Sequence, residues 1–180
     1  AVYPTPTIGM VGLLENVNEK MTLDFKQAGD VIVLLGKSSN DINSSEYLHK
    51  MHGVEFSPAP QFDLEEEVHL QKVVADVIKN KLISSAHDVS EGGVFVTLLE
   101  SAMWNGLGFE VNTNAGLRKD AFLFGEAQSR VAVTVKRDAL ATLEEALQSH
   151  GQHYEVIGEV TSGDIIVDAA SWGSINAWKE

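Results

Sequence analysis

The segment HDVSEGG, residues 87–93, sets a histidine, two carboxylates and a serine directly before two adjacent glycines. It follows a run that ends in small residues and precedes one with helical spacing, so the glycines fall where a strand would give way to a helix. A helix N-terminus carries unpaired N–H groups and a partial positive charge, which together attract anions. Glycines there would let a phosphate approach without a Cβ in the way. The candidate phosphate site from this segment comprises His87, Asp88, Ser90, Glu91, Gly92 and Gly93.

The two glycines have a second explanation, which the residues alone leave open. They would equally allow a helix to pack tightly on the preceding strand, with Asp88 capping the turn. The segment is not a P-loop, because no G-K-[ST] follows it.

A second segment, LFGEAQSRVAVTV at residues 123–135, alternates an acid, an amide and a guanidinium. On an extended chain these side chains would project to one side, where they could bind a phosphate ester or a metal-bound nucleotide. An internal salt bridge or hydrogen-bonded network at the start of a strand is the competing interpretation. A third segment, GKSSND at residues 36–41, offers Lys37 to phosphate or is only a solvated turn. The candidate residues of the second segment are Glu126, Gln128, Ser129 and Arg130.

The composition narrows the possible functions. The chain has 180 residues, is 44% hydrophobic and carries a formal charge of −13, from 26 acidic and 13 basic residues. It can bury a core as one domain, while its charge disfavours nucleic-acid binding. No apolar run reaches the ~20 residues that span a bilayer, Cys is absent, and the six His lack metal-site spacing. We therefore expect a soluble, cytoplasmic protein with no metal site of its own.

Apolar runs and turn residues predict that strands and helices alternate along the chain. The predicted strands span 7–15, 30–36, 82–86, 107–112, 130–135, and a closing hairpin of 153–161 and 163–169. The predicted helices span 44–53, 63–81, 91–103, 117–125 and 138–151. Their predicted capping and terminating residues are Ser90 and Asp138 at the starts, and Gly53 and Gly151 at the ends. The predicted apolar face of the 63–81 helix comprises Leu64, Val68, Val74, Val77 and Ile78.

The order of elements predicts one compact α/β domain, with its core over 28–170 and a connecting strand over 1–15. The chain starts without Met, runs at once into an apolar strand and carries Trp178 close to its last residue. We therefore expect it to be a fragment of a longer protein.

Four motifs, PTPTIGMVGLLE, GDVIVLLG, HDVSEGG and FGEAQSRV, occur in an order and spacing that resemble the phosphoribosylformylglycinamidine synthase family. The resemblance covers nearly the whole chain. It is to the last domain, the second copy of a C-terminal domain shared with aminoimidazole ribonucleotide synthetase. It implies an α/β fold, a layered mixed sheet with packed helices. HDVSEGG alone is typical of a wider superfamily that includes selenophosphate synthetase, thiamine-monophosphate kinase and a hydrogenase-maturation protein.

The resemblance also implies an activity for the parent protein, an ATP-dependent ligase of purine biosynthesis. Such an amidotransferase uses ATP to activate the amide oxygen of formylglycinamide ribonucleotide, and glutamine-derived ammonia then displaces the phosphate. The products are formylglycinamidine ribonucleotide, ADP and phosphate. The implied cofactors are ATP and Mg²⁺ in the parent and none for the fragment alone. The implied partners are the remaining synthetase domains, a glutaminase subunit or domain, and small nucleotides, with no nucleic acid or membrane.

For this chain the resemblance implies no catalytic residue. The family's general base and most of its ATP and magnesium ligands lie in the nucleotide-binding domains that precede this segment. Glu126, Ala127 and Gln128 stand where the family's first half has an E-S-Q segment that contacts substrate. The second-half pocket is generally not catalytic and in some members holds a structural nucleotide. The candidate residues would then form a vestigial or auxiliary phosphate site.

Two alternatives stay open. The chain could be a stand-alone nucleotide-binding or assembly module, or a domain of a selenophosphate synthetase-like or thiamine-monophosphate kinase-like member of the superfamily. Its fragment-like ends argue against the first alternative, and the absence of Cys together with EAQSRV argues against the second.

Overall fold

The computed structural model describes residues 8–179, and residues 1–7 and 180 lie outside the described part. Within it, the strands form one sheet in the order β2-β4-β1-β5-β3-β6-β7. Neighbouring strands pair antiparallel, except that β3 and β6 pair parallel. The predicted α/β fold with a mixed sheet is confirmed. The strands are β1 (Val31–Leu35), β2 (Ser85–Asp88), β3 (Gly108–Val111), β4 (Val131–Val135), β5 (Tyr154–Thr161), β6 (Asp164–Val167) and β7 (Ala170–Ser174).

Helices flank the sheet and alternate with its strands along the chain. Shorter helical turns occupy Val17–Glu19 and Arg137–Ala139, and a π-helical turn occupies Tyr47–Met51. Between residues 8 and 179, no helix is both long enough and apolar enough to cross a bilayer. The α-helices are α1 (Leu64–Lys79), α2 (Gly93–Met103), α3 (Lys119–Phe124), α4 (Leu140–Ser149) and α5 (Ile175–Trp178).

Strand β1 joins the two layers of the core, because all five of its residues are buried. Ile32 and Leu34 contribute to an apolar cluster with α2, α3 and α5, whereas Val33 contributes to a cluster with α1 and α4. Successive side chains of a strand point to opposite faces, so the two clusters lie on opposite sides of the sheet. The continuous apolar run of β1 is therefore explained by helices that cover both of its faces.

The predicted strand at 7–15 is wrong over residues 8–15, which pair with no strand in the described part of the chain. The rest of the predicted connecting strand, with Pro4 and Pro6, lies outside the described residues. The apolar side chains of this segment are exposed, Val11 fully and Leu13 at 99%. An apolar run alone cannot make a strand, because each backbone N–H and C=O needs a partner on a neighbouring strand.

Both edges of the sheet carry backbone groups that are already engaged. At the β2 edge, the N–H of Ala86 donates to the carbonyl oxygen of Thr22 at 3.2 Å. At the β7 edge, Nε1 of Trp178 donates to the carbonyl oxygen of Trp172 at 2.9 Å. Gly173, next along β7, has a φ of +93°, which departs from extended geometry. These contacts leave little room for the 8–15 segment to add to the sheet.

The predicted hairpin of the last two long segments is also wrong. Strand β3 lies between β5 and β6 and pairs with both. The actual hairpin joins β6 to β7 through Asp168 and Ala169, whose φ angles are 50° and 61°. Two successive left-handed residues define a type I′ turn, which usually recruits Asn-Gly. The pair Asp-Ala gives no such signal in the sequence.

Two predicted helix caps are wrong, and two predicted helix ends are confirmed. Helix α2 has Gly92 as its N-cap in place of Ser90, and no side chain caps it. A 3₁₀ turn precedes α4, so Ala139 replaces Asp138 at its N-cap. Gly53 and Gly151 end their helical segments with φ angles of +66°, the left-handed geometry that favours glycine there.

Helix α1 begins as predicted and packs part of its predicted apolar face, Val74, Val77 and Ile78, in or against the core. Oδ1 of Asp63 accepts the N–H of Glu65 at 2.8 Å, which caps the helix. Leu64 and Val68, predicted to face the core, are 65% and 40% exposed. The residues of α1 that are buried are Leu70, Val73 and Val77.

The buried carboxyl group of Asp30, just before β1, should make the stability of the fold depend on pH. Its side chain is 1% exposed, Oδ1 accepts from Nε2 of Gln27 at 3.0 Å, and Oδ2 has no hydrogen-bond partner among residues 8–179. Burial raises the pKa of this carboxyl above its usual value, so the fold holds a proton that the unfolded chain releases. Wild-type stability should therefore decline as pH rises from the unfolded-state pKa of about 4 towards the higher folded-state pKa.

Asp30→Asn should remove this penalty, so the variant should gain thermal stability relative to wild type between pH 4 and pH 7. Melting temperatures of both proteins across this pH range test it. The matched control is Asp164→Asn, at an exposed aspartate. An offset between Asp30→Asn and wild type that stays constant with pH would contradict the prediction.

Candidate functional site

A cleft of about 810 Å³ lies between α1 and the ends of β2 and β4. Antiparallel pairing sets Asp88 of β2 opposite Val131 of β4, so the segment after β2 meets the segment before β4. The two candidate segments, distant in sequence, are brought together at this point. The candidate residues that line the cleft are Asp88, Ser90, Glu91, Glu126, Gln128, Ser129 and Arg130.

The opposite wall comes from α1 and was not predicted. Val74 and Ile78, predicted as part of an apolar face, pack against the core and also line the cleft. Helical spacing identifies an apolar stripe but not what it faces, which is why the wall was missed. The cleft-lining residues of this wall are Phe62, Glu67, Leu70, Gln71, Val74, Ala75 and Ile78.

His87 belongs to the interior of the fold, between β2 and α2. Its side chain is 12% exposed. Nδ1 lies 3.0 Å from the carbonyl oxygen of Thr97 and 3.1 Å from Oγ of Ser101. Nε2 lies 3.5 Å from a carboxylate oxygen of Glu100. These contacts explain His87 as a link between strand and helix, and it does not line the cleft.

The adjacent glycines are required by the chain's own backbone. Gly92 and Gly93 have φ angles of +83° and +70°. A Cβ at Gly93 would lie 2.7 Å from the carbonyl oxygens of Leu123 and Gly125. A Cβ at Gly92 would lie 2.4 Å from Cγ2 of Val96. Tight packing therefore accounts for Gly93, although the contact is with the end of α3 and not with the preceding strand of the second explanation, and the positive φ accounts for Gly92.

Glu126 places its carboxylate at the start of α2. Oε1 accepts the N–H of Gly92 at 2.9 Å and the N–H of Glu46 at 2.8 Å. The first of these N–H groups belongs to the N-cap of α2, where a negative charge is favoured. An anion does lie at this helix start, and it is a side chain of the chain itself.

Arg130 is buried and fixes the loop that carries Glu126. Its side chain is 3% exposed, with Nη2 donating to the carbonyl oxygen of Gly125 at 2.7 Å and Nε to that of Ala127 at 3.1 Å. Burial lowers its pKa to about 10, so the guanidinium is charged at neutral pH. Within residues 8–179, no carboxylate lies within 4.0 Å of it.

The predicted alternation of Glu126, Gln128 and Arg130 is interrupted. Ser129 has a φ of +61°, so the segment is not continuously extended, and Gln128 is exposed while Arg130 is buried. Oγ of Ser129 donates to Oε2 of Glu67 in the first turn of α1 at 2.7 Å. The hydrogen-bonded network proposed as the competing interpretation describes the observed contacts.

The electrostatics of the cleft oppose a bare phosphate. Four carboxylate side chains line it, those of Glu67, Asp88, Glu91 and Glu126, against a single guanidinium. Lys37 lies outside the cleft and pairs with Glu66 at 2.7 Å. In the described part of the chain, no group of three or more acidic or histidine side chains is arranged to hold a metal ion. A phosphate ligand would therefore need its own cation, or basic groups from elsewhere.

The family described as AIR synthase related protein, C-terminal domain, matches residues 27–169. Among curated relatives, the phosphoribosylformylglycinamidine synthase subunit PurL of Alkaliphilus metalliredigens is 42% identical over 165 residues. The match covers 92% of this chain and 22% of the relative. The chain thus spans about a fifth of that relative's length.

Solved structures share the fold. T. maritima PurL complexed with FGAR gives a TM-score of 0.76 at 18% identity, over 89% of this chain and 29% of that one. The same protein complexed with ATP gives 0.68 at 17% identity, over 89% and 27%. Thiamine-monophosphate kinase from Stenotrophomonas maltophilia gives 0.55 at 18% identity, over 85% and 54%. At these identities the structural matches establish the fold alone.

Gly93→Ala tests the close approach at the start of α2. The new Cβ would meet two carbonyl oxygens in addition to the strain of a positive φ, so we expect a loss of about 3 kcal/mol of folding stability. Gly151→Ala is the matched control, since φ is also positive there but nothing lies within 4 Å of the added Cβ. It should cost only about 1 kcal/mol. Chemical denaturation measures both, and equal losses would contradict the packing explanation.

Proposed function

Because the chain belongs to the family of the AIR synthase related protein C-terminal domain, we propose that it is such a domain of a phosphoribosylformylglycinamidine synthase. The parent would be an ATP-dependent ligase of purine biosynthesis. It would convert formylglycinamide ribonucleotide and glutamine-derived ammonia to formylglycinamidine ribonucleotide. In this proposal the chain is the second copy of the domain, with its core over 28–170, and does not itself catalyse the reaction.

One observation carries the proposal. A phosphoribosylformylglycinamidine synthase subunit matches 92% of the chain at 42% identity. A second relative, from Caldanaerobacter subterraneus and with the same subunit name, matches 93% at 40% identity. Fold similarity is shared with thiamine-monophosphate kinase, so it does not choose between parents. Sequence identity over nearly the whole chain is what favours the synthase.

The cleft supports a secondary role and gives no support for a catalytic one. Three of its polar groups are engaged in the chain's own contacts: Glu126 with two backbone N–H groups, Ser129 with Glu67, and Arg130 with two carbonyl oxygens. We propose that any ligand here is an auxiliary nucleotide that brings its own Mg²⁺ to the carboxylates lining the cleft. The proposed site residues that line the cleft are Asp88, Ser90, Glu91, Glu126, Gln128, Ser129 and Arg130, whereas His87, Gly92 and Gly93 of the predicted set do not line it.

Cofactors and partners follow from the proposed parent. ATP and Mg²⁺ would act in the nucleotide-binding domains of the parent. One of the similar solved structures is T. maritima PurL complexed with ATP. The chain would contact the remaining synthetase domains, and a glutaminase subunit or domain would supply ammonia. A cytoplasmic location is part of the same proposal.

A chimeric synthetase tests the proposal directly. The chain would replace the matching fifth of the Alkaliphilus metalliredigens subunit, and ADP formation would be measured with formylglycinamide ribonucleotide, ATP, Mg²⁺ and ammonia. We expect the chimera to be active, and both the chain alone and the subunit lacking this domain to be inactive. Turnover by the chain alone would contradict the non-catalytic assignment. A folded but inactive chimera would favour another parent.

The auxiliary site has its own test. Binding of Mg²⁺-ADP to the chain would be measured by calorimetry for wild type and Gln128→Ala, which removes an exposed amide at the cleft. A lost hydrogen bond should weaken binding by about tenfold. Gln148→Ala, on α4 outside the cleft, is the matched control and should bind as wild type. No measurable binding to wild type would show that the site is vestigial.

A further inference from the structure

Two backbone N–H groups from distant parts of the chain converge on one carboxylate oxygen. Oε1 of Glu126 accepts from Glu46, 80 residues earlier in the chain, at 2.8 Å, and from Gly92, 34 residues earlier, at 2.9 Å. Hydrogen bonds to an ionised carboxylate are stronger than those between neutral groups. Glu126 therefore joins three segments at one point.

Helix α2 has a local backbone acceptor for the N–H of Gly93, the carbonyl oxygen of Ser90 at 3.1 Å, whereas the N–H of Gly92 is bound by the remote Glu126. Its N-cap is Gly92, in the left-handed region, with no side-chain hydrogen bond from its own neighbourhood. A helix start normally needs an acceptor for its free N–H groups and favours a negative charge. Glu126 supplies both from a loop that is remote in sequence.

The loop holds Glu126 in place on both sides. The buried Arg130 guanidinium binds the carbonyl oxygens of Gly125 and Ala127, the residues before and after Glu126. Gly125 packs so closely that it has no space for a side chain, because a Cβ there would lie 2.6 Å from the carbonyl oxygen of Asp41. The carboxylate is thus presented by a fixed loop.

The second N–H group extends the contact to the π-helical turn. Glu46 immediately precedes that turn, and the ring of Tyr47 stacks on Phe124 with centroids 4.9 Å apart and planes 8° apart. Phe124 in turn meets Phe95 of α2 edge-on at 5.8 Å. One carboxylate and one aromatic stack therefore dock the turn against α2 and α3.

We propose that Glu126 is a resident anion, a side chain that permanently fills the anion-binding position at the start of α2. The consequence is that this position is closed to ligand phosphate. The carboxylate instead positions α2 and the π-helical turn at Tyr47–Met51. The inference rests on the contacts alone and holds whichever parent the chain has. Any phosphate in the cleft would have to bind away from the N–H of Gly92.

Backbone amide NMR of the full chain tests the shared oxygen. Glu126→Gln replaces the carboxylate by a weaker neutral acceptor, so at constant pH the Glu46 and Gly92 amide signals should both shift and both amides should exchange faster with solvent. Glu91 lines the same cleft, so Glu91→Gln is the matched control and should leave the exchange of both amides unchanged. A change at only one of the two amides, or at neither, would overturn the proposal.

Formate, a small carboxylate, tests whether the position is filled. In Glu126→Ala it should shift both amide signals and recover part of a melting-temperature loss of about 5 °C, whereas chloride at equal ionic strength should not. In wild type, formate should leave the Gly92 signal unchanged. A formate shift in wild type, or none in a folded Glu126→Ala, would overturn the proposal. If Glu126→Ala does not fold, the amide measurements on Glu126→Gln still test whether both N–H groups bind Glu126.

Discussion

The close approach of α2 to the end of α3 is the constraint on which the rest of the site depends. At Gly93 the helix start lies so near the carbonyl oxygens of Leu123 and Gly125 that no side chain fits. That contact sets the position of the next residue, Glu126, whose carboxylate then reaches the N-cap of α2. The loop continues to the buried Arg130 and into β4. Backbone proximity at Gly93 and the left-handed conformation of both residues therefore explain why two glycines stand together in the segment HDVSEGG.

Much of the architecture could be predicted from the sequence because its signals are local. The apolar run of β1 and the spacing of α2 identify elements that are buried in the observed fold. The errors arose where the decisive partner is remote. The segment 8–15 is apolar like a buried strand but pairs with no strand within residues 8–179, and β3 separates β5 from β6. Pairing order depends on which strands meet, and local patterns do not report it.

In the candidate site too, local residue types could be read from the sequence, whereas remote contacts could not. Residue types correctly marked two segments, 87–93 and 126–130, that converge on one cleft. They could not show that Arg130 turns inward to carbonyl oxygens, or that Ser129 adopts a left-handed conformation. The α1 wall was missed because Val74 and Ile78 resemble core residues in any helical pattern. A charged residue in sequence indicates that chemistry is available, whereas its burial and partners decide whether it serves a ligand or the fold.

The indole of Trp178 has a consequence for how copies of this domain behave at high concentration. An outer strand with free N–H and C=O groups is a template on which other chains can assemble. Here the indole occupies a carbonyl oxygen of β7, and the left-handed Gly173 breaks the regular spacing beside it. At the far edge, the Thr22 carbonyl occupies an N–H of β2. An edge strand with an engaged backbone group is a poorer template for another chain, so these two contacts should hinder edge-to-edge pairing of copies.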